Sequence, residues 1–242
     1  MTTIAHNLHA VRLRIQAACL AAGRDPAEVA LLAVSKTFGA DAVQAARVCD
    51  QSQFGENYIQ EAVDKIRTLA AAPDPTLAPL VWHCIGPIQS NKTRLVAENF
   101  DWVHTVDRLK VVQRLSEQRP AHLPPLQVCL QVNIDGGAAK SGITPDAALE
   151  LAHDVARLPH LTLRGLMTIP EPAPDFASAL AVHQATRRLF ISLREALQAG
   201  GDGAAFDTLS MGMSADLEAA IHAGSTLVRV GSAIFGGRAP TH

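Results

Sequence analysis

The sequence predicts an α/β fold, a single (β/α)8 TIM barrel over residues 1–242, and three observations favour it. Short apolar or β-branched segments recur eight times along the chain. Between them lie segments with apolar residues at three- and four-residue spacing, which is typical of helices. The length of 242 residues is close to the roughly 250 residues of a typical barrel of this kind. Because strands and helices alternate strictly, the sheet is predicted to be parallel.

The N-terminal segment "MTTIAHNLHAVRLRIQAACLAAG" predicts an amphipathic helix, because Ile4, Leu8, Val11 and Ile15 fall at helical spacing. It lacks the continuous apolar run of a signal peptide. Only "GGRAPTH" follows the last predicted strand, which is too short for a closing helix. We therefore expect the N-terminal helix to complete the ring of helices around the barrel.

The eight predicted strands are short segments that are apolar or rich in β-forming residues. The first, Val29 to Val34, is a continuous apolar run and ends just before Lys36. The other seven lie in "SQFGEN", "VWHCIG", "WVHTV", "LQVCLQVNI", "LRGLMTI", "FDTLSM" and "LVRVGSAIF". Several of the helical segments between them begin behind a Ser, Thr or Asp that can cap a helix.

The sequence contains no complete nucleotide-binding pattern. A doubly wound open sheet is the alternative fold, but no G-x-G-x-x-G follows the first strand. The segment "GPIQSNKT" is one residue away from a P-loop, with Asn91 in place of the second glycine. Pro87 also removes a backbone N–H that could have faced a phosphate. Neither pattern supports nucleotide binding.

Composition excludes several classes of function. The chain is 48% hydrophobic and 18% charged, with a formal net charge of -2, and its basic residues are scattered. We therefore expect a cytoplasmic protein that binds neither nucleic acid nor membrane. The four cysteines are far apart and are expected to be buried, reduced thiols, and no metal site is predicted. No long uncovered apolar surface stands out, so we expect a monomer.

Candidate site residues follow the strands, where barrels of this class place their functional groups. Lys36 follows the first strand, Asn57 the second, and His83 and Gly86 lie at the end of the third. Ser210 ends the seventh strand, and the eighth strand and its exit hold Arg229, Gly231 and Ser232. Residues distant in sequence are thus predicted to converge on one end of the barrel.

The turns after strands seven and eight predict a phosphate site. In "LSMGMSADLEAAI", Ser210, Met211 and Gly212 lead into a helix for which Ser214 is the expected cap. Free backbone N–H groups at such a turn bind phosphate. Gly231 permits close backbone approach, and Ser232 adds a hydroxyl. Each turn alone is equally typical of an ordinary loop, but the pair favours a phosphate between these two strands.

Lys36 completes the chemistry of this predicted site. Lys36 is either a solvated lysine at a strand end or an amine held close to an apolar core, where desolvation lowers its pKa and makes it a nucleophile. A phosphate-bearing aldehyde opposite such an amine describes pyridoxal 5'-phosphate, PLP, held as a Schiff base. Arg229 would then lie near the pyridine nitrogen, where a cation disfavours ring protonation. An ion pair at the barrel rim is the alternative for Arg229.

Eight motifs in order resemble the pyridoxal phosphate homeostasis protein family, single-domain relatives of the alanine racemase N-terminal barrel. They span about residues 29 to 236. The motifs are "AVSKTF", "FGENYIQEA", "WHCIGPIQSNKTR", "VHTVD", "QVNIDGGAAKSG", "LRGLMTIPEP", "LSMGMSADLEAAI" and "VRVGSAIFG". The resemblance implies the barrel of PLP fold type III.

The resemblance also implies roles for particular residues. Lys36 would carry PLP, Asn57 would lie near the pyridine ring, and Arg229 would face the ring nitrogen. Ser210 would hold the phosphate together with Gly231 and Ser232. The implied function is a carrier or regulator of vitamin B6 pools and amino-acid homeostasis without robust catalysis. Its implied partners are PLP, related vitamers and apo-enzymes that use PLP.

Two enzymatic alternatives remain open from the sequence. A PLP-dependent amino-acid racemase needs an acid/base group on each face of its substrate, and Tyr58 is the only tyrosine. A Schiff-base aldolase or phosphosugar isomerase would use Lys36 without PLP. No catalytic residue is predicted. His83 is interpreted as a hydrogen-bonded barrel residue, and Lys92 and Lys140 as solvated lysines.

Overall fold

Eight parallel strands close into one barrel in the order of the sequence. The computed structural model describes residues 3–137, 141–203 and 205–237; the predicted loop residue Lys140 therefore lies outside the described residues. Hydrogen bonds between the first and last strands, with Ala30 opposite Leu227, close the ring. The strands are β1 (Ala30–Val34), β2 (Gln53–Glu56), β3 (Val81–Cys84), β4 (Trp102–Val106), β5 (Leu126–Gln131), β6 (Leu161–Met167), β7 (Thr208–Ser210) and β8 (Leu227–Val230). The predicted (β/α)8 barrel is confirmed.

Helices alternate with the strands along the described chain. They are α1 (Thr3–Ala21), α2 (Ala40–Arg47), α3 (Ile59–Ala71), α4 (Thr93–Asn99), α5 (Leu109–Gln118), α6 (Ala148–Ala156), α7 (Phe176–Ala199), α8 (Leu217–His222) and α9 (Ser232–Phe235). The last predicted strand, "LVRVGSAIF", was too long. The backbone leaves β8 at Gly231, whose carbonyl accepts N–H groups of Ile234 and Phe235 and so begins α9.

The N-terminal helix α1 completes the helical ring, as predicted. It contacts α2 on one side and α8 and α9 on the other. Leu8, Val11 and Ile15 are buried on its inner face, where removal of apolar surface from water favours this packing. A hydrogen bond of 2.9 Å from Asn7 Nδ2 to the carbonyl oxygen of Ile234 ties the start of the chain to α9.

Three of the four cysteines are buried free thiols, as expected from the sequence. These are Cys19, Cys84 and Cys129. Cys49 is also free but only partly buried, and it packs against the edge of the hydrophobic core. None of the helices in the described ranges is long and apolar enough to cross a membrane.

Candidate functional site

A cavity of about 400 Å³ lies where the carboxyl ends of the strands meet. Five of the eight predicted site residues line it: Lys36, Asn57, Arg229, Gly231 and Ser232. The remaining lining residues, which the sequence did not single out as contacts, are Val34, Thr37, Phe38, Ile85, Ile169, Met213, Ser214, Ala215 and Gly236. The barrel therefore brings one lysine, one arginine, hydroxyl groups and an apolar wall around a single opening.

Lys36 enters this cavity from a turn directly after β1. The strand is buried from Leu32 to Val34, so the chain can expose Lys36 only once the strand has ended. Phe38 N–H donates to the carbonyl of Ser35 at 3.1 Å, which closes the turn around Lys36. Between them, Thr37 has a φ of 68°, a left-handed conformation that is rare for a β-branched residue.

A buried cluster supports the exits of β1 and β2 from below. Lys65 Nζ on α3 lies 2.6 Å from Glu56 Oε1 and donates to the carbonyl of Ser35 at 3.0 Å. Ser35 Oγ donates to the same Glu56 oxygen at 2.6 Å. Burial raises the pKa of Glu56, and the charge and hydrogen bond of Lys65 partly oppose that shift. Since these residues adjoin Lys36 and Asn57, the cluster fixes both neighbouring loops.

The Asn57 loop packs tightly against Gly86. A Cβ at Gly86 would lie 2.2 Å from the carbonyl oxygen of Asn57, so only glycine permits this approach. Asn57 Oδ1 is buried and has no hydrogen-bond partner among the described residues. A buried acceptor of this kind is free to meet a donor of a bound molecule.

Arg229 forms the cationic part of the cavity wall. Its side chain is buried, with Nη1 donating to Ser210 Oγ at 2.7 Å and Nη2 to the carbonyl of Thr168 at 2.9 Å. Burial lowers the pKa of Arg229 to about 10, while the charge of Asp216 acts in the opposite direction. The guanidinium is therefore still charged near neutral pH and is held in one orientation.

Three predicted site residues lie behind the cavity rather than on its wall. Ser210 and Met211 are fully buried, and neither they nor Gly212 belong to the cavity lining. Ser210 instead supports Arg229. Gly212 has a φ of 91°, and a Cβ there would lie 2.5 Å from that of Ala220. The chain turns at this glycine, which brings Met213 to Ala215 to the cavity instead.

The loop from Met213 to Asp216 is fixed by a histidine that the sequence did not reveal. Asp216 Oδ1 accepts the Met213 N–H at 2.7 Å, and its Oδ2 lies 2.9 Å from His183 Nε2 on α7. Burial would raise the pKa of Asp216, but its hydrogen bonds with His183 and Met213 lower it overall. Asp216, not Ser214, occupies the N-cap position of α8, although its side chain makes no capping hydrogen bond to the helix. Ser214 lines the cavity instead.

Unpaired backbone N–H groups occur where the loops after β7 and β8 line the cavity. The N–H groups of Ser214, Ala215 and Ser232 have no acceptor within the described parts of the chain. All three residues line the cavity, next to Gly231. A Cβ at Gly231 would lie 3.2 Å from the carbonyl of Val34, so glycine allows β8 to leave close to β1. Such clustered N–H groups suit an anion with several oxygen atoms.

A chain of buried polar groups continues from Arg229 into the barrel. Ser210 Oγ lies 3.0 Å from His104 Nδ1, and His104 Nε2 lies 2.9 Å from His83 Nδ1. Burial lowers the pKa of His83 to about 3. Burial also lowers the pKa of His104 well below its ordinary value, with smaller effects of His83 and Arg229. Both rings are neutral, and His83 is hydrogen-bonded as interpreted from the sequence.

Two further residues named in the sequence analysis lie off the cavity wall. Tyr58 is 49% exposed and directly precedes α3. Lys92 Nζ lies 3.5 Å from Gln60 Oε1, on the outside of the barrel. The described residues contain no cluster of three or more His, Cys, Asp or Glu side chains that could hold a metal ion.

Known proteins match both the sequence and the fold. The alanine racemase N-terminal domain family matches residues 3–239. The protein is therefore a barrel of the alanine racemase N-terminal class. The pyridoxal phosphate homeostasis protein of Pseudomonas aeruginosa is 56% identical over 238 residues, covering 98% of this chain and 97% of that protein. The chain therefore belongs to the pyridoxal phosphate homeostasis protein family, which confirms the resemblance seen in its motifs.

Two further comparisons agree. The pyridoxal phosphate homeostasis protein of Escherichia coli K12 is 52% identical, with 98% of each chain covered. A solved structure of PipY from Synechococcus elongatus with PLP bound has a TM-score of 0.79 and 32% identity. That similarity covers 96% of this chain and 100% of the PipY chain. The likeness therefore extends over the whole barrel.

Proposed function

We propose that the chain is one barrel domain over residues 1–242 that binds PLP as a Schiff base with Lys36. The protein would take part in intracellular PLP and amino-acid homeostasis. The observation that carries this proposal is the placement of Lys36, Arg229 and the Gly231–Ser232 turn around one cavity of about 400 Å³. The names of its relatives, and the PLP in PipY, support the choice of ligand.

The donor set around the cavity fits PLP. The unpaired N–H groups of Ser214, Ala215 and Ser232 would hold the phosphate, and Gly231 leaves room for it. The Asn57 side chain would lie at the ring, where its unpaired Oδ1 can accept a hydrogen bond. In this assignment the cavity wall is supported by three residues behind it. Ser210 orients Arg229, and the chain turns at Gly212, next to the buried Met211.

The residues around the cavity favour holding PLP over turning over a substrate. When bound, PLP supplies an electron sink that stabilises negative charge on an attached amino acid. Arg229, placed at the ring nitrogen, would oppose protonation there and weaken that sink. Lys36 and Arg229 are the only ionisable side chains among the described lining residues. A second acid/base group is thus lacking on this part of the wall, and we propose a carrier without robust activity.

Racemisation of an amino acid is the second candidate function. The match to the alanine racemase N-terminal domain favours it, since that fold hosts PLP chemistry. It would need a base opposite Lys36, and exposed Tyr58 is not on the cavity wall. A racemase would therefore require an acid/base group that the described lining residues do not supply.

Partners and location follow from the same proposal. PLP and related B6 vitamers are the proposed ligands, and apo-enzymes that require PLP are the proposed acceptors. We propose a cytoplasmic monomer that binds neither nucleic acid nor membrane. Sedimentation of the purified chain, with and without PLP, tests the monomer.

The absorption spectrum of the purified protein with added PLP tests the central proposal. We expect a visible band that borohydride abolishes, and a reduced adduct that peptide mapping places on Lys36. Lys36→Ala should lose that adduct, while Lys110→Ala, an exposed lysine on α5, should retain it. If the wild type with added PLP gives neither a visible band nor an adduct on Lys36, the proposal fails, and the cavity must serve another phosphate-bearing ligand.

A second measurement separates carrier from racemase. The PLP-loaded protein is incubated with alanine and other amino acids in deuterated water. We expect no exchange of the α-hydrogen above the rate with free PLP. Protein-dependent exchange that Lys36→Ala abolishes would instead identify a racemase.

A further inference from the structure

The turn that carries Lys36 has a strained backbone. Residues 35–38 form a β-turn, because the carbonyl of Ser35 accepts the Phe38 N–H. Thr37, the third residue, has a φ of 68°, whereas Lys36 does not share this positive φ. This is the pattern of a type II turn, whose third position ordinarily requires glycine. A threonine there keeps its conformation only if surrounding groups impose it.

Two side chains of α3 hold this turn from one side. Glu61 Oε1 accepts the backbone N–H of Thr37 at 2.8 Å. Lys65 Nζ, one helical turn further on, donates to the carbonyl of Ser35 at 3.0 Å. Lys65 Nζ also lies 3.4 Å from Glu61 Oε1. The same helix therefore fixes the first carbonyl and the strained amide of the turn.

Lys65, which contacts Glu61, is held in place by a buried ion pair with Glu56. The side chain of Lys65 is 3% exposed and that of Glu56 is fully buried. Their 2.6 Å contact ties α3 to β2, and a buried ion pair cannot rearrange without leaving a charge unpaired. Glu61 is 39% exposed, so it can be replaced without opening the core.

We propose that Glu61, supported by Lys65, is a positioning residue for Lys36. Glu61 keeps Thr37 in its left-handed conformation and so holds the Lys36 amine at the cavity wall. Without this acceptor Thr37 relaxes toward a negative φ, and the turn shifts the backbone of Lys36. The inference rests on the proposed role of Lys36 toward PLP, but the strained turn is an independent feature.

The test is a rescue experiment on Thr37. The rate constant of the reaction of full-length protein with PLP is measured from the growth of the visible band. Glu61→Ala should react about ten-fold more slowly, because a displacement near 1 Å has effects of this order or larger. Thr37→Gly combined with Glu61→Ala should return to within about two-fold of the wild type, because glycine adopts a positive φ without support.

Matched variants separate positioning from general damage. Glu61→Gln retains an oxygen acceptor and should stay within about three-fold of the wild type. Asp64→Ala removes a neighbouring exposed carboxylate of α3 and should leave the rate unchanged. A Glu61→Ala rate equal to that of the wild type, or no rescue by Thr37→Gly, overturns the proposal.

Hydrogen exchange at the Thr37 amide gives a readout that needs no PLP. Glu61→Ala should speed this exchange about ten-fold or more, and Asp64→Ala should not. If the wild type forms no PLP adduct, the proposed function fails. Hydrogen exchange at the Thr37 amide then still tests whether Glu61 positions the turn. Unchanged protection in Glu61→Ala would overturn its positioning role.

Discussion

Arg229 Nη1 donates a 2.7 Å hydrogen bond to Ser210 Oγ, so the serine at the end of β7 orients the arginine at the end of β8. The same oxygen lies 3.0 Å from His104 Nδ1. Ser210 is fully buried, and each of its partners is buried as well. One hydroxyl therefore links the cavity wall to the polar interior of the barrel.

Replacing Ser210 by alanine should weaken both stability and PLP binding. Loss of the hydroxyl leaves Arg229 and His104 each short of a buried partner, which costs about 1–3 kcal/mol of unfolding free energy. We expect about ten-fold weaker PLP binding, or roughly 1.4 kcal/mol, because Arg229 is less well oriented. Equilibrium titration with PLP and denaturant unfolding measure the two effects.

Ser225→Ala is the matched control for this substitution. Its buried Oγ lies within hydrogen-bond distance of the carbonyls of Leu209, Met211 and Leu227, and Ser225 does not line the cavity. It should lower stability without changing PLP affinity. Equal PLP affinity of Ser210→Ala and the wild type would contradict the role given to Ser210.

The two buried histidines should make the fold sensitive to mild acid. The folded pKa of His83 is lowered to about 3, and that of His104 is also well below its ordinary value. In unfolded chains both titrate near pH 6.5, so the unfolded state binds more protons as pH falls. The contribution of these two rings to the free energy of unfolding is fully present above pH 6.5 and is lost progressively below it.

The expected loss between pH 7 and pH 5 is about 2 kcal/mol for His83, and His104 adds to it in the same direction. Urea unfolding at the two pH values measures it. His83→Gln should flatten the pH dependence, because one of the two low-pKa groups is gone. A variant with the full wild-type slope would show that His83 does not titrate in this way.

Lys65→Met should be strongly destabilising. It leaves Glu56 buried with Ser35 as its remaining hydrogen-bond donor, and breaking such a pair costs about 3–5 kcal/mol. Burial already raises the folded pKa of Glu56, and losing Lys65 raises it further. The native state then binds more protons than the unfolded state, so the variant should lose stability as pH rises above the unfolded pKa.

Adding Glu56→Gln to Lys65→Met should recover part of the loss at pH 8 and remove this pH dependence. Denaturant unfolding at pH 5 and pH 8 provides the comparison. Identical stabilities of the single and double variants at pH 8 would mean that the Glu56 charge is not what destabilises Lys65→Met.

Gly86→Ala should displace the Asn57 loop. A Cβ would lie 2.2 Å from the carbonyl oxygen of Asn57, and overpacking against backbone typically costs about 1–3 kcal/mol. PLP binding should weaken too, since Asn57 is on the cavity wall. Gly237→Ala, where a Cβ meets nothing within 4 Å, is the control. Thermal unfolding and PLP titration of both variants test this, and a neutral Gly86→Ala would contradict it.

The barrel could be predicted because each element has a strong local pattern. The apolar run before Lys36 forms β1, and the helical spacing of Leu8, Val11 and Ile15 forms α1. Strict alternation then leaves few ways to arrange a parallel sheet. Boundaries were less well predicted: the apolar "SAIF" after Gly231 forms α9, because periodicity cannot separate such short apolar runs.

The site could be predicted to within a few residues. Lys36, Asn57 and Arg229 were found because they follow or end strands, which fixes the end of the barrel where they lie. Ser210 and Gly212 were placed on the wall for the same reason, but the turn at Gly212 carries the chain onward to Met213. A backbone turn of this kind depends on packing against α8, which the sequence does not display.

Pairs that join distant elements were missed. His183 and Asp216, or His104 and Ser210, meet only after the barrel closes. A usable signal was present for Glu56, a carboxylate at the end of the short strand β2 with a lysine on the next helix. Its buried contact with Lys65 depends on the tilt of α3 against β2, which is set by tertiary packing.

The hydrogen-bonded pairing of β1 with β8 has a consequence for synthesis on the ribosome. β1 is synthesised before its partner on this side, β8, which follows only after β2 to β7 have been made. Until then β1 has an open edge, and α1 lacks its neighbours α8 and α9. Lys36 follows β1 and Arg229 lies in β8, so the nascent chain cannot assemble the cavity until β8 has been made.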